Sequence, residues 1–267
     1  MRRLVVLGAL WGTPLAAQQS SDFRWTFTDA RDGFCVWYLA EPTLARELVP
    51  SDVVLAPAGD GAGLPGSVVR VIQDEPHFAA WIPGAICVGR YGQASADDRP
   101  PVMAKDGESI TVLTHSLAAT APRGASGATH YLIELGTDRT SLARAAELAG
   151  ARPTDRSVTV RQVPDTDDQE IEIAIGKTKI VWQGHPTGDG RVGWTRTMSF
   201  GYAGRRTTSW SVAVAVNPAE ARSMVGALRV EGKDDLGKAL RASPIRAVGP
   251  MERGGEATIT FSRAATR

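Results

Sequence analysis

From Phe34 onward the chain is cut into short runs, each rich in β-branched and aromatic residues, with glycine, proline or aspartate at the breaks. Helix bundles need long segments with an apolar residue every three or four positions, and this sequence offers few. Strand character is read over Phe34 to Leu39, Val68 to Ile72, and Phe78 to Val88, the last interrupted by Pro83-Gly84. It returns over Ser109 to Leu117, His130 to Leu135, Val158 to Val163, Ile171 to Ile175, Ile180 to Trp182 and Ala257 to Phe261. Pro164 to Gln169 reads as a turn, and Val192 to Tyr202 with Thr207 to Val216 as a hairpin around residues 203–206. Many short strands with turn residues between them predict a mainly β domain, a barrel or a sandwich with helices at its periphery.

Four helices are expected. Glu41 to Leu48 has Pro42 in its first turn and Pro50 beyond its end. Ser141 to Ala149 is capped by Thr140 or Asp138 and ended by Gly150. Asn217-Pro218-Ala219-Glu220 has the residues of a helix start and predicts a helix to about Leu228. Asp234-Asp235 opens a shorter one ending near Ser243. Residues 56–66 are rich in Gly, Ala and Pro and read as a loop, and Ala94 to Pro101 as a polar turn.

The 267 residues carry a net charge of +1, which gives no electrostatic case for nucleic acid or an anionic membrane as a partner. Met1-Arg2-Arg3, the apolar stretch Leu4 to Leu15 and the small pair Ala16-Ala17 read as a secretory signal. Residues 1–17 are therefore expected to be removed and 18–267 to form a single exported domain, periplasmic or secreted. No run approaches the roughly 18 apolar residues of a membrane-spanning helix. In an oxidising compartment the two cysteines, Cys35 and Cys87, can pair, but both sit in apolar segments where free thiols also pack well. Sequence leaves both alternatives open.

Chemistry-bearing motifs are few. His77, His115, His130 and His185 lack zinc spacing, and there is no phosphate loop, dinucleotide fingerprint or nucleophile elbow. Asp165-Thr166-Asp167-Asp168 lacks the glycine and distal glutamate of a calcium loop and reads as a solvated turn. No cofactor or metal is expected. Only five lysines occur: Lys105, Lys177, Lys179, Lys233 and Lys238.

Read in order, several short segments form a series: Arg31-Asp32-Gly33-Phe34, then Leu44 to Pro50, then Cys87-Val88-Gly89-Arg90-Tyr91-Gly92-Gln93-Ala94. Tyr131-Leu132, Ala146-Glu147-Leu148 with Pro153, and Asp235 to Leu240 continue it. In order and spacing this series resembles the acetoacetate decarboxylase-like family over most of the chain after residue 17. The resemblance implies a closed antiparallel β-barrel with outer helices and an interior pocket. It also implies a lysine, in a segment Arg-Glu-Leu-x-x-x-Pro-Lys-Lys, that forms a Schiff base with a keto acid.

Here that segment is Ala146 to Asp155: Glu147 and Leu148 match, Pro153 comes one place late, Ala146 replaces the arginine, and Thr154 and Asp155 stand in place of the lysines. Neither side chain can form an imine. Arg90 stands where the family has an acid, and Arg31 matches a family arginine. The resemblance thus implies Arg31 and Arg90 as binders of a small carboxylate or carbonyl ligand, since guanidinium forks grip carboxylates, and Glu147 as an acid or base. Lys177 and Lys179 could restore imine chemistry only by reaching the pocket. They are expected to face solvent together on one strand. The competing reading is a non-enzymatic periplasmic ligand-binding or interaction module. A hydrolase has no nucleophile motif behind it.

Overall fold

A computed structural model describes residues 23–61, 63–96, 101–105, 108–120, 130–148, 153–155, 158–192, 196–203 and 209–263. The expected signal segment, residues 1–17, and Gly150 lie outside the described residues.

The chain runs β1 (Phe23–Ala40), α1 (Pro42–Glu47), α2 (Gly66–Asp74), a 3-10 turn (Pro76–Ala80), β2 (Ile82–Ala96), β3 (Val102–Met103), β4 (Ile110–Ala118) and β5 (His130–Thr137). Then come α3 (Thr140–Leu148), β6 (Pro153–Asp155), β7 (Val158–Gln162), β8 (Gln169–Ile175), β9 (Thr178–Val192), β10 (Arg196–Ala203) and β11 (Ser209–Asn217). Last are β12 (Glu220–Glu231), α4 (Asp235–Ala242), β13 (Arg246–Val248), β14 (Met251–Arg253) and β15 (Glu256–Arg263). The described strands join one strongly curled, largely antiparallel sheet that forms a half-barrel. Its path is β3-β2-β4-β5-β10-β11-β15-β1-β14-β12-β9-β8-β7, and β1 also pairs with β2.

Strand β1 organises the molecule. Its first half pairs with β15, and most of its length pairs with β2, with a register shift between Ala30 and Asp32. Beyond that shift, alternation divides the apolar residues between two faces. Phe34, Val36 and Tyr38 join Ile86, Val88, Leu113, Ile171, Ile173 and Trp182 in the largest core. Leu39 instead packs with Val68, Ile72 and Phe78 beneath α2. A further core gathers Trp25, Phe27, Tyr91, Ile110, Leu135, Val212 and Ile259. Among the described residues, no helix is long and apolar enough to cross a membrane.

Two expected elements take the other secondary structure. Val68 to Ile72 is helical in α2: Val68 and Ile72, four apart, are both buried, while Ser67, Arg70 and Gln73 are exposed. Burial of that one stripe outweighs the β preference of Val-Val-Arg-Val-Ile, which is worth tenths of a kcal/mol per residue. The helix expected from Asn217 is β12, paired with β9 over Glu220–Glu231. Met224, Leu228 and Val230 pack on the large core, and Val225, Ala227 and Arg229 face solvent. This spacing of two was present in the sequence beneath the capping residues. Pro83-Gly84 does not break β2, because Pro83 is only its second residue. Gly84 is required there: the Tyr38 ring occupies the place where any Cβ would stand.

Candidate functional site

The β1–β2 ladder sets Asp32 opposite Arg90 and Gly33 opposite Gly89, and Gly33 also faces Glu252 of β14. Residues opposite one another share a face and neighbours in sequence take opposite faces. One side of this crossing therefore carries charge, and the other is nearly bare of side chains.

On the charged side, the Arg90 guanidinium donates to Asp32 Oδ2 at 3.0 Å and to Ser109 Oγ at 2.9 Å. Both side chains are largely buried, 17% and 11% exposed, so water screens the pair weakly. Burial pushes the Asp32 carboxyl above its ordinary value, and the charges of Arg90, Arg253 and Arg31 pull it part of the way back. Asp32 Oδ1 is buried and accepts no hydrogen bond from the described residues. Arg31 lies 4.0 Å from Asp29 with its side chain about one-third exposed. Arg139 extends the network, donating to the Ser109 carbonyl at 3.1 Å and to Glu108 at 3.2 Å.

The bare side opens into a partly open hollow of about 50 Å³ between β2 and β4 on one flank and β11 and β15 on the other. Gly33, Cys87 and Gly89 form one wall, with Val214, Val216, Ala257 and Ile259 opposite. Tyr91 lies across Gly89 in the space a side chain would take, and its ring sits 5.0 Å from that of Phe27. Three polar residues from three strands, Tyr91, Thr114 and the buried Glu252, stand among this apolar lining. A water needs about 12 Å³ of such space, so the hollow suits a ligand of only a few heavy atoms.

Arg90 is paired with Asp32, a residue not singled out from sequence, whereas Arg31 is paired with Asp29 and acts on Asp32 only weakly, and neither arginine lines the hollow. Glu147 is exposed on α3 and does not line it either. Thr154 and Asp155 lie in β6, opposite Gly136 and Thr137 of β5. None of the five lysines lines the hollow. Lys179 pairs with Glu172 at 2.7 Å, and the other four are exposed.

Asp32 had a legible signal, since it continues the even-numbered series Phe34, Val36, Tyr38 onto a buried face. Glu252 had none, because Gly249-Pro250-Met251-Glu252-Arg253-Gly254-Gly255 shows no alternation. Cys35 and Cys87 stand directly opposite in the ladder and are disulfide-bonded, their Cα atoms 4.0 Å apart. Among the described residues no group of three or more His, Cys, Asp or Glu side chains could hold a metal.

A second buried polar pair lies in the large core. Tyr38 Oη and His115 Nε2 are 2.7 Å apart, and both residues are almost fully buried. Burial drives the His115 pKa down to about 3 and the Tyr38 pKa up, so both are neutral at pH 7.

The curled β-sheet carries a small, mainly apolar hollow, and solved structures resemble this fold. An acetoacetate decarboxylase-like enzyme from Sphingomonas wittichii RW1 is 14% identical, with 97% of this chain and 99% of that one covered and a TM-score of 0.47. Acetoacetate decarboxylase from Legionella pneumophila subsp. pneumophila str. Philadelphia 1 is 10% identical over 92% and 88%, with a TM-score of 0.48. The enduracididine biosynthesis enzyme MppR, solved with pyruvate, is 10% identical over 95% and 92%, with a TM-score of 0.46. No family model matches the sequence, and no curated protein matches it. At such identities the likeness says nothing about which residues act.

Proposed function

We propose that this chain is an exported acetoacetate decarboxylase-like protein that binds, or acts without a lysine imine on, a small carbonyl or carboxylate compound held in the hollow beside β2. The observation that carries this reading is the lining of the hollow: an acid and two hydroxyls on apolar walls, and no lysine. The amine-to-imine route needs a primary amine against the substrate carbonyl, and the lining offers none. Closure of the sheet into a barrel belongs to the same reading. Its support is the pairing of β1 with both β15 and β2, together with the short parallel contact between β5 and β10 at His130 and Tyr131. Export is supported by the character of Met1 to Ala17 and by the Cys35–Cys87 bond, since such bonds persist in oxidising compartments.

A ketone, aldehyde or carboxylate oxygen in the hollow can accept from the Thr114 hydroxyl, which fits either ligand class. Binding without turnover is the second reading, favoured by the engagement of Arg90 with Asp32, which keeps that guanidinium away from the hollow.

The test is incubation with acetoacetate and borohydride followed by intact-mass measurement. The expected mass is unchanged, and a reduced adduct on any lysine defeats the proposal. Assaying carbon dioxide release in the same samples separates turnover from simple binding.

A further inference from the structure

We infer that Cys87 is a thiol-exchange site, entered through the hollow by small thiols. The two sulfurs of the disulfide are not equivalent. Cys35 is 1% exposed, whereas Cys87 is half-buried and lines the hollow. Exchange requires a thiolate to reach a sulfur atom, and access decides which sulfur is attacked. The hollow is partly open and supplies that route to Cys87.

The step balances without another reagent. A thiol loses its proton, its sulfur bonds to Cys87 Sγ, the Cys87–Cys35 bond breaks, and the departing Cys35 thiolate takes up a proton. A second thiol then releases the external disulfide and leaves Cys87 as a free thiol facing the hollow. The volume of the hollow, about 50 Å³, selects the reductant by size. This inference rests on the hollow alone and stands whether or not a carbonyl ligand occupies it.

The experiment treats the folded chain with excess 2-mercaptoethanol at pH 8, quenches with iodoacetamide and maps the peptides by mass, with near-ultraviolet circular dichroism reporting the fold. At early times, before a second thiol resolves the mixed disulfide, the expected product carries mercaptoethanol on Cys87 and carbamidomethyl on Cys35, and at late times both cysteines carry carbamidomethyl. An adduct on Cys35, an even division between the two, or no adduct until urea opens the fold overturns the inference. Glutathione, a tripeptide too large for the hollow, compared at equal thiolate concentration, is expected to fall about tenfold behind mercaptoethanol on the folded chain and to keep pace with it in urea. Equal rates on the folded chain would remove the hollow as the route. Val214→Phe, which fills the hollow, should slow the reaction by a similar factor, and the thiol comparison decides the matter if that variant does not fold.

Discussion

Acid should unfold this protein partly through one histidine. His115 is neutral in the large core, where burial holds its pKa at about 3 against an ordinary value of 6.5. A group whose folded pKa is depressed below its unfolded value contributes stability fully present above the unfolded pKa, and that stability is lost as pH falls toward the folded one. The window is therefore pH 6.5 down to about 3, with a slope of about 1.4 kcal/mol per pH unit. At pH 4.5 the loss reaches about 2.7 kcal/mol, and with a urea dependence of about 2.5 kcal/mol per molar the unfolding midpoint falls by about 1 M.

The groups around the ring bear on this. Tyr38 of β1 makes the 2.7 Å contact, and Glu134 of β5 stands opposite in the ladder. The substitution that isolates the effect is His115→Gln, which keeps a hydrogen-bonding partner for Tyr38 and cannot titrate. At pH 7 it should cost about 1 kcal/mol for imperfect packing. Between pH 7 and 4.5 it should then lose about 2.7 kcal/mol less than the unsubstituted protein, the remaining acid sensitivity being that of the carboxylates. Urea titrations of both proteins at pH 7, 5.5 and 4.5 measure the difference. Parallel loss of stability in the two proteins would refute the reasoning.

Arg90→Leu leaves Asp32 buried without its main partner and should cost about 3 kcal/mol in urea unfolding, much of it recovered when Asp32→Leu is added. Gly84→Ala places a methyl group inside the Tyr38 ring and should cost at least 2 kcal/mol in thermal unfolding. Gly33→Ala, whose added carbon meets its nearest neighbour at 3.4 Å, should be tolerated and should instead weaken binding of any ligand in the hollow. Replacing both Cys35 and Cys87 by alanine opens a loop with a sequence separation of 52 residues. By chain entropy this should cost about 4 kcal/mol, read as a lower unfolding midpoint that reducing agent no longer changes.

Elements whose own residues bury a face were legible. Asp235 to Ala242 is helical as expected, because Asp234 caps it, accepting from Gly237 N at 3.0 Å, and Leu236, Ala239 and Leu240 form one buried stripe. The hairpin of β10 and β11 and the strands β4, β5, β7 and β8 lie where alternation and turn residues place them. Where local signals conflicted with packing, packing prevailed. Asn217-Pro218 has the residues of a helix start, but the chain beyond it pairs with β9 because that buries Met224, Leu228 and Val230.

The candidate site divides in the same way. Arg31 and Arg90 could be singled out because they fall in segments with a family resemblance, but that Arg90 pairs with Asp32 and Arg31 with Asp29 could not be read there. Which face they take depends on a register shift in β1, and a shift of one residue moves a side chain to the opposite side of the sheet.

By itself, the sequence determined a mainly β chain, most of its strand positions, the places of α1, α3 and α4, and the supply of groups able to do chemistry. All of these follow from interactions between residues close along the chain. Only the tertiary structure decided that Cys35 meets Cys87, that Asp32 lies buried against Arg90, and that Glu252, Tyr91 and Thr114 surround one hollow. Those contacts join positions tens to hundreds of residues apart, and strand pairing across a curled sheet sets them, which no local pattern encodes.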